Sequence, residues 1–183
     1  FLRQGLRGVG LRDIAGELGI KAASVYHHCP KGKDQLFERS LLWRLDRIGE
    51  RLARAREDHV SSGFAAQVDA LVDALLSEAF IDTARLVSVD LPALKSQPAR
   101  RRLLEALHTR LLGPFAEAVA DHPDAVRGDV DAGVFAGTLL AAITSIRAHG
   151  RPRTKAERAA VRALIRSAVR LVVDGMYVSP PAT

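Results

Sequence analysis

Residues 11–28 read LRDIAGELGIKAASVYHH, and this stretch predicts two short helices joined by a tight turn. Its first half has the i, i+3, i+4, i+7 spacing of a one-sided helix, with apolar residues at Leu11, Ile14, Ala15 and Leu18. Gly19 then ends this helix, because glycine accepts the positive φ that a tight turn often needs. Two short helices joined in this way cross at a steep angle and bury a shared apolar patch.

The two predicted helices divide their side chains between this patch and an exposed face. The patch is expected to contain Ile14, Ala15 and Leu18 from the first helix and Ile20 and Val25 from the second. The exposed face of the second helix is expected to contain Lys21, Ala22, Ser24, Tyr26 and His27. A short face that is rich in hydrogen-bond donors suits the major groove of DNA. A half-buried packing role is the alternative for Tyr26.

The net charge of +6 is concentrated at the N-terminal end of the chain. Residues 1–56 contain 12 Lys and Arg against 6 Asp and Glu, whereas the remaining 127 residues contain 15 of each. Such an asymmetry is what a polyanion-binding head on a neutral body would show. A basic helix that is simply solvated is the other interpretation, and the charge alone does not decide between them.

The order I-A-x-x-L-G-I-x-x-x-S-V-Y-x-H, followed by P-x-x-K and a long helix, resembles the DNA-binding head of TetR-family regulators. The resemblance covers about residues 1–50, and beyond them it extends only to an all-helical body of suitable length. It implies that residues 21–28 form the recognition helix. It assigns base or near-base contacts to Ala22, Ala23, Ser24 and His27, phosphate contacts to Tyr26 and Lys33, and further contacts to Lys21 and Arg12.

Two positions depart from the pattern of this family. Gly10 stands where the family usually has Ser or Thr, so a hydroxyl that could cap the first helix is missing. Cys29 stands where the family prefers a bulky apolar residue, and we expect it to pack as a small hydrophobe. We also expect the helix and any basic arm that precede this point in the family to lie outside the sequence.

The rest of the chain reads as helix, without a convincing alternating strand. A long helix is predicted from Lys33 to Asp58, and further helices at about 63–80, 82–91, 98–121, 129–149 and 154–177. Pro114 is expected to kink the 98–121 helix. The predicted fold class is therefore all-α, with a helix-turn-helix DNA-binding domain at 1–50 and a helical effector-binding and dimerisation domain at 51–183.

The last two predicted helices are apolar over wide arcs. Small residues recur every four positions in 129–149, and 154–177 carries a broad apolar band. Such arcs need more partner surface than one small body supplies, which favours a two-fold four-helix interface at the place where TetR-like proteins dimerise. Burial within one subunit is the alternative. The predicted interface residues are Gly133, Gly137, Ala141, Val161, Leu164, Ile165, Ala168, Leu171 and Val172.

The resemblance also implies an effector pocket among the middle helices. Its candidate lining residues are Phe64, Phe80, Leu86, Leu91, His108, Phe115, Phe135, Thr138, Leu139 and Arg147. Together with the further Leu, Val and Ile residues of these helices the lining is mostly aliphatic, which suggests a hydrophobic or amphipathic small molecule. For each of these residues, an ordinary place in the core is the competing interpretation.

These features predict a homodimeric repressor that a small effector releases from a palindromic DNA operator. The alternatives are an activator, a regulator without an effector, and a helical dimer whose weakened head mediates protein contacts. An enzyme is not expected, because no catalytic constellation, cofactor motif or metal-ligand spacing is visible. His27, His28 and Cys29 are adjacent, and neighbours on a helix point about 100° apart, so they cannot chelate one ion.

The cellular location is the last expectation from sequence. The single cysteine fits a reducing cytoplasm. No apolar run approaches the roughly 18 residues that a membrane span needs. We therefore expect a cytoplasmic protein with no membrane partner.

Overall fold

The computed structural model describes residues 1, 4–79, 81–149 and 154–177. Helices dominate these ranges, and the β structure within them is one isolated antiparallel bridge between Val126 and Tyr177. The predicted all-α fold class is confirmed. The α-helices are α1 (Leu11–Glu17), α2 (Ala22–His28), α3 (Lys33–His59), α4 (Phe64–Ser77), α5 (Thr83–Arg85), α6 (Leu91–Ala93), α7 (Gln97–Leu107), α8 (Gly113–Ala120), α9 (Ala132–His149) and α10 (Lys155–Asp174).

Two of the helices predicted as continuous contain a wider, π-helical turn. Leu86–Asp90 separates α5 from α6, and His108–Leu112 separates α7 from α8. Pro114 is the second residue of α8 and directly follows the π-helical turn, and the helical run continues from Gln97 to Ala120. The helix therefore does not end at the proline, and the expected kink stays a prediction.

The chain forms two compact units. The first unit comprises Phe1–Asp46 and Ile81–Leu107, and the second comprises Arg47–Phe80 and His108–Thr183. The predicted division into domains at residue 50 stays a prediction. The grouping of 81–107 with the N-terminal residues was not expected from the sequence.

In the first unit, a buried carboxylate holds the loop that precedes α1. Asp90 is 3% exposed, and its Oδ1 accepts a hydrogen bond from the backbone N–H of Leu6 at 2.8 Å. The Arg85 Nε lies 3.3 Å from the other carboxylate oxygen. Gly5 has φ of +71°, and a Cβ there would lie 2.5 Å from Asp90 Oδ1, so only glycine fits. The segment 86–90 is thereby tied to residues 5–6.

In the second unit, an apolar core surrounds a small polar cluster. The largest buried side chains of this core include Phe64, Leu71, Phe115, Leu139 and Ile165. They come from α4, α8, α9 and α10, whose apolar faces recur with the helical period. No described helix has the length and apolar character that crossing a membrane requires.

The polar cluster joins the C-terminal part of α3 to α4 and to the end of α8. Arg56 donates two hydrogen bonds of 2.7 Å to the carboxylate of Asp121. The fully buried Gln67 donates from Nε2 to the Arg56 carbonyl at 3.0 Å and to Asp121 Oδ2 at 2.9 Å. Its Oε1 lies 3.2 Å from His122 Nε2. The hydrogen bond from Arg56 is the main reason that the pKa of Asp121 lies below its ordinary value.

We expect Asp121→Ala to lower the free energy of unfolding by about 1–3 kcal/mol, because Arg56 and Gln67 lose a partly buried acceptor. Urea denaturation at neutral pH measures the change. Asp124→Ala, at a nearby exposed position, is the matched control and should stay within about 0.5 kcal/mol of the wild type.

The wild type and the Asp121→Ala variant also allow a test of how stability depends on pH. A carboxylate whose pKa is lowered by folding stabilises the folded state above its ordinary pKa of about 3.9, and this contribution is lost as the pH falls through the lower, folded value. The stability difference between wild type and Asp121→Ala should therefore shrink in acid. A difference of constant size down to the acid transition would contradict the assigned role of Asp121.

Candidate nucleic-acid interface

The turn between α1 and α2 is built by backbone hydrogen bonds around one glycine. The N–H of Gly19 donates to the carbonyl of Gly16 at 3.1 Å, and the N–H of Ile20 donates to that of Ala15 at 3.0 Å. Together with φ of +65° at Gly19, these bonds form a Schellman motif, which caps the last carbonyls of α1. The predicted glycine-dependent turn is present.

The two helices pack around a small shared core. Leu11, Ala15 and Val25 are buried in it, and partly buried neighbours pack against them: Ile14, Ala22 and Leu36. The small Ala15 side chain allows the helices to approach closely. Leu36 comes from α3, so the third helix closes the core.

Two of the predicted patch residues were wrong. Leu18 is 65% exposed and Ile20 is 44% exposed. The helix α1 ends at Glu17, so Leu18 and Ile20 belong to the turn and leave the apolar face that the helical period would have continued. Leu11 and Leu36 bury their side chains in the patch in their place.

The outer face of α2 is open to a partner. Ala23, Ser24, Tyr26 and His27 are exposed, whereas Ala22 is half-buried against the core. Tyr26 is 53% exposed, so about half of its side chain is open to a partner and the rest is covered by the protein. The half-buried packing role considered for it therefore stays open beside the phosphate contact.

Basic residues stand at the ends of this face. Lys21 is exposed at the start of α2, and Arg12 is exposed on α1. Lys33 is the first residue of α3 and is half-buried, next to Gly32, whose carbonyl accepts the first helical hydrogen bond from Leu36. First-turn N–H groups of a helix attract anions, so Lys33 lies where a phosphate is favoured.

The structure accommodates both departures from the family pattern. Gly10 precedes α1, and its N–H donates to the carboxylate of Asp13 at 2.8 Å, although no side-chain oxygen caps the helix. Cys29 is buried at 3% exposure as a free thiol and packs at the junction of α2 and α3. Within the described residues, no group of His, Cys, Asp and Glu side chains is arranged to hold a metal ion.

Most of the predicted interface residues in the second unit form an exposed apolar stripe. Leu171 and Leu164 are 78% and 57% exposed, and Val134, which sequence reasoning missed, is 64% exposed. Small or partly exposed residues continue the stripe: Gly133, Gly137, Ala141, Val161, Ala168 and Val172. Ile165 is fully buried and belongs to the core of its own unit, because it lies on the α10 face that carries the buried Val169 and Val173, about 100° around the helix from Leu164.

The residues predicted to line an effector pocket are divided between the two units. Phe64, Phe115, Phe135 and Leu139 are buried in the second unit, whereas Leu86 and Leu91 are buried in the first. His108 and Thr138 are exposed. Arg147 donates to the carbonyls of Leu75 and Glu78, and Phe80 lies outside the described residues.

The first unit contains a cavity of about 740 Å³ that sequence reasoning identified only through Leu86. Its apolar wall includes Phe1, Phe37 and Leu41, and Trp43 lies beside them on α3. Long-range packing of 81–90 on α3 creates this space, and no local periodicity indicates such packing.

The exposed face of α2, the Schellman turn and the supporting α3 define a helix-turn-helix protein. The family model described as bacterial regulatory proteins, tetR family, matches residues 1–39. The HTH-type transcriptional regulators Mb1846 of Mycobacterium bovis and Rv1816 of Mycobacterium tuberculosis are each 29% identical to the chain over 123 residues. Residues 1–39 thus carry the DNA-binding domain described by the model of the TetR family of bacterial regulatory proteins.

The alignment has a limited extent. It covers 66% of this chain and 51% of each relative. The chain thus spans about half the length of the curated relatives that it matches.

Proposed function

We propose that the protein is a sequence-specific DNA-binding transcriptional regulator that acts as a homodimeric repressor. The observation that carries this proposal is the exposed face of α2, with Tyr26 at its end and Lys33 at the start of the next helix. The concentration of the whole +6 net charge in residues 1–56 supports it. Such a regulator acts on chromosomal DNA, and we place it in the cytoplasm.

The recognition chemistry follows from the side chains on α2. In the major groove, Ser24 and His27 offer hydrogen bonds to base edges, and the methyl group of Ala23 offers an apolar contact to a thymine methyl. Tyr26 and Lys33 bind backbone phosphates on either side and set the register of the helix. Base contacts then provide the sequence preference, and phosphate contacts provide most of the affinity.

A homodimer accounts for the exposed stripe on α9 and α10. Pairing two such stripes across a two-fold axis would bury Leu164 and Leu171 away from water. A two-fold protein presents two recognition helices to successive major grooves, so its operator should be a near-palindrome.

We further propose that a small hydrophobic or amphipathic effector releases the repressor by shifting the population towards a form that does not match the groove spacing. Helix α3 is the proposed carrier of this shift, because it is continuous from Lys33 to His59 while the boundary between the units falls at Asp46 and Arg47. A tilt of α3 would move the recognition helix that packs on its first turn.

The DNA proposal is tested by Lys33→Ala and Tyr26→Phe. Duplexes selected from random DNA by the wild type supply the target, and fluorescence anisotropy over a range of salt concentrations supplies the affinity. Each variant should bind more weakly at fixed salt, and Lys33→Ala should reduce the slope of log affinity against log salt by about 0.9 per lost phosphate contact.

Matched controls separate these effects from general losses. Lys155→Ala removes an equal charge from an exposed position on α10, and Tyr177→Phe removes the other tyrosine hydroxyl. Both should leave binding unchanged. A folded wild type that shows no salt-dependent DNA binding would instead favour a helical dimeric protein-interaction module.

The dimer proposal is tested by Leu171→Glu, which places a charge on the most exposed apolar residue of the stripe. We expect the mass measured by light scattering to fall from dimer to monomer, because a buried unpaired carboxylate is costly. Leu104→Glu, on α7 in the first unit, is the control and should remain dimeric. A Leu171→Glu protein that stays dimeric excludes this stripe as the interface.

The effector mechanism is tested with the single tryptophan, Trp43, which is 58% exposed on α3. A compound that releases the protein from its operator should change the emission of Trp43, because the proposed tilt of α3 alters its surroundings. A panel of fatty acids of increasing chain length provides amphipathic probes. Release from DNA without any change in Trp43 emission would contradict the role assigned to α3.

A further inference from the structure

The first unit contains a second, strongly basic recess that the helix-turn-helix does not explain. It has a volume of about 380 Å³ and is lined by the side chains of Arg7, Lys31, Lys33 and Lys95, with Asp34 as its one acidic residue. Lys31 and Lys33 flank the start of α3. Arg7 precedes α1, and Lys95 follows α6, so the recess gathers cations from three separate parts of the sequence.

The backbone under two of these cations is held in place. The N–H of Lys95 donates to Asp34 Oδ2 at 3.1 Å, and the preceding Leu94 is 2% exposed. Arg7 follows Leu6, which is 2% exposed and whose N–H donates to the buried Asp90. The side chains of Arg7 and Lys95 are nevertheless exposed. A fixed backbone under an exposed cation lowers the entropy that is lost when the side chain binds an anion.

The charges of the recess are unbalanced. The residues that line it carry four positive formal charges against the single negative charge of Asp34. An anion that enters the recess can gain charge-assisted hydrogen bonds. A phosphate group, with several acceptor oxygens, suits such a recess better than an apolar group does.

We propose that this recess binds a backbone phosphate of the DNA duplex, so that Arg7 and Lys95 extend the interface beyond the helix-turn-helix. The inference rests on the proposed function, because the DNA that brings the phosphate is the operator bound by α2. Lys33 belongs to both surfaces and joins them. The new contact is Lys95, since it places the segment 81–107 directly on the nucleic acid.

The experiment measures the salt dependence of DNA binding by Lys95→Gln and Arg7→Gln. Each variant should lose affinity to a similar degree on all duplex sequences and should reduce the slope of log affinity against log salt by about 0.9 for each subunit that contacts DNA. Arg101→Gln, exposed on α7, and Lys155→Gln, exposed on α10, remove the same charge elsewhere and should retain the wild-type slope.

The outcomes separate this inference from the proposed function. If the wild type binds selected DNA and the Lys95→Gln slope equals that of the controls, the recess does not contact the duplex and the inference is overturned, while the regulator remains. If the wild type binds no DNA, both the proposed function and this inference are overturned.

Free inorganic phosphate is the other ligand that could offer phosphate oxygens to the recess. Thermal unfolding in inorganic phosphate and in chloride of equal ionic strength tests it. If phosphate stabilises the wild type but not Lys95→Gln, and the two proteins bind DNA with the same salt slope, the recess serves a free anion and the DNA contact is overturned. A reduced DNA slope for Lys95→Gln supports the inference in either buffer.

Discussion

The buried carboxylate of Asp90 is the interaction on which the arrangement of the first unit depends. A carboxylate at 3% exposure is costly unless its oxygens are hydrogen-bonded, and here the Leu6 N–H and the Arg85 guanidinium satisfy them. These partners lie at opposite ends of the unit in sequence, so the carboxylate joins the loop before α1 to the segment after α5. The absence of a Cβ at Gly5 leaves the space in which this contact forms. The contact also holds Leu6, which together with Arg7 lines the basic recess.

The helix-turn-helix could be predicted largely from local sequence. The spacing of Leu11, Ile14 and Ala15 gives the inward face of α1, and Gly19 gives the left-handed residue of the Schellman motif. The exposure of Tyr26 agrees with its place on the outer face of α2. The error at Leu18 arose because the period of the first helix was continued into the turn, and the error at Ile20 arose because the second helix, to which it was assigned, begins only at Ala22. Leu36 could not be assigned to this core, because its packing depends on the direction in which α3 leaves Gly32.

The grouping of 81–107 with the N-terminal residues could not be predicted, since it depends on contacts between residues that are far apart in sequence. The Leu6–Asp90 and Lys95–Asp34 hydrogen bonds join positions 84 and 61 residues apart. The π-helical turns at Leu86–Asp90 and His108–Leu112 also change which residues face inward, so a count by the regular helical period drifts beyond them. The residues predicted to line a pocket are divided between the two units. The amphipathic pattern of a helix predicts which of its faces is buried. It does not predict which distant helix packs against that face.

The polar cluster around Gln67 determines a chemical detail that heavy-atom positions alone do not show. The two groups facing Gln67 Nε2, the Arg56 carbonyl and the Asp121 carboxylate, are both acceptors, so the amide nitrogen must lie on that side. The amide oxygen then faces His122, and the imidazole must be the tautomer that carries its hydrogen on Nε2. The chain of hydrogen bonds from His122 through Gln67 thus runs in one direction and ends on the carboxylate of Asp121.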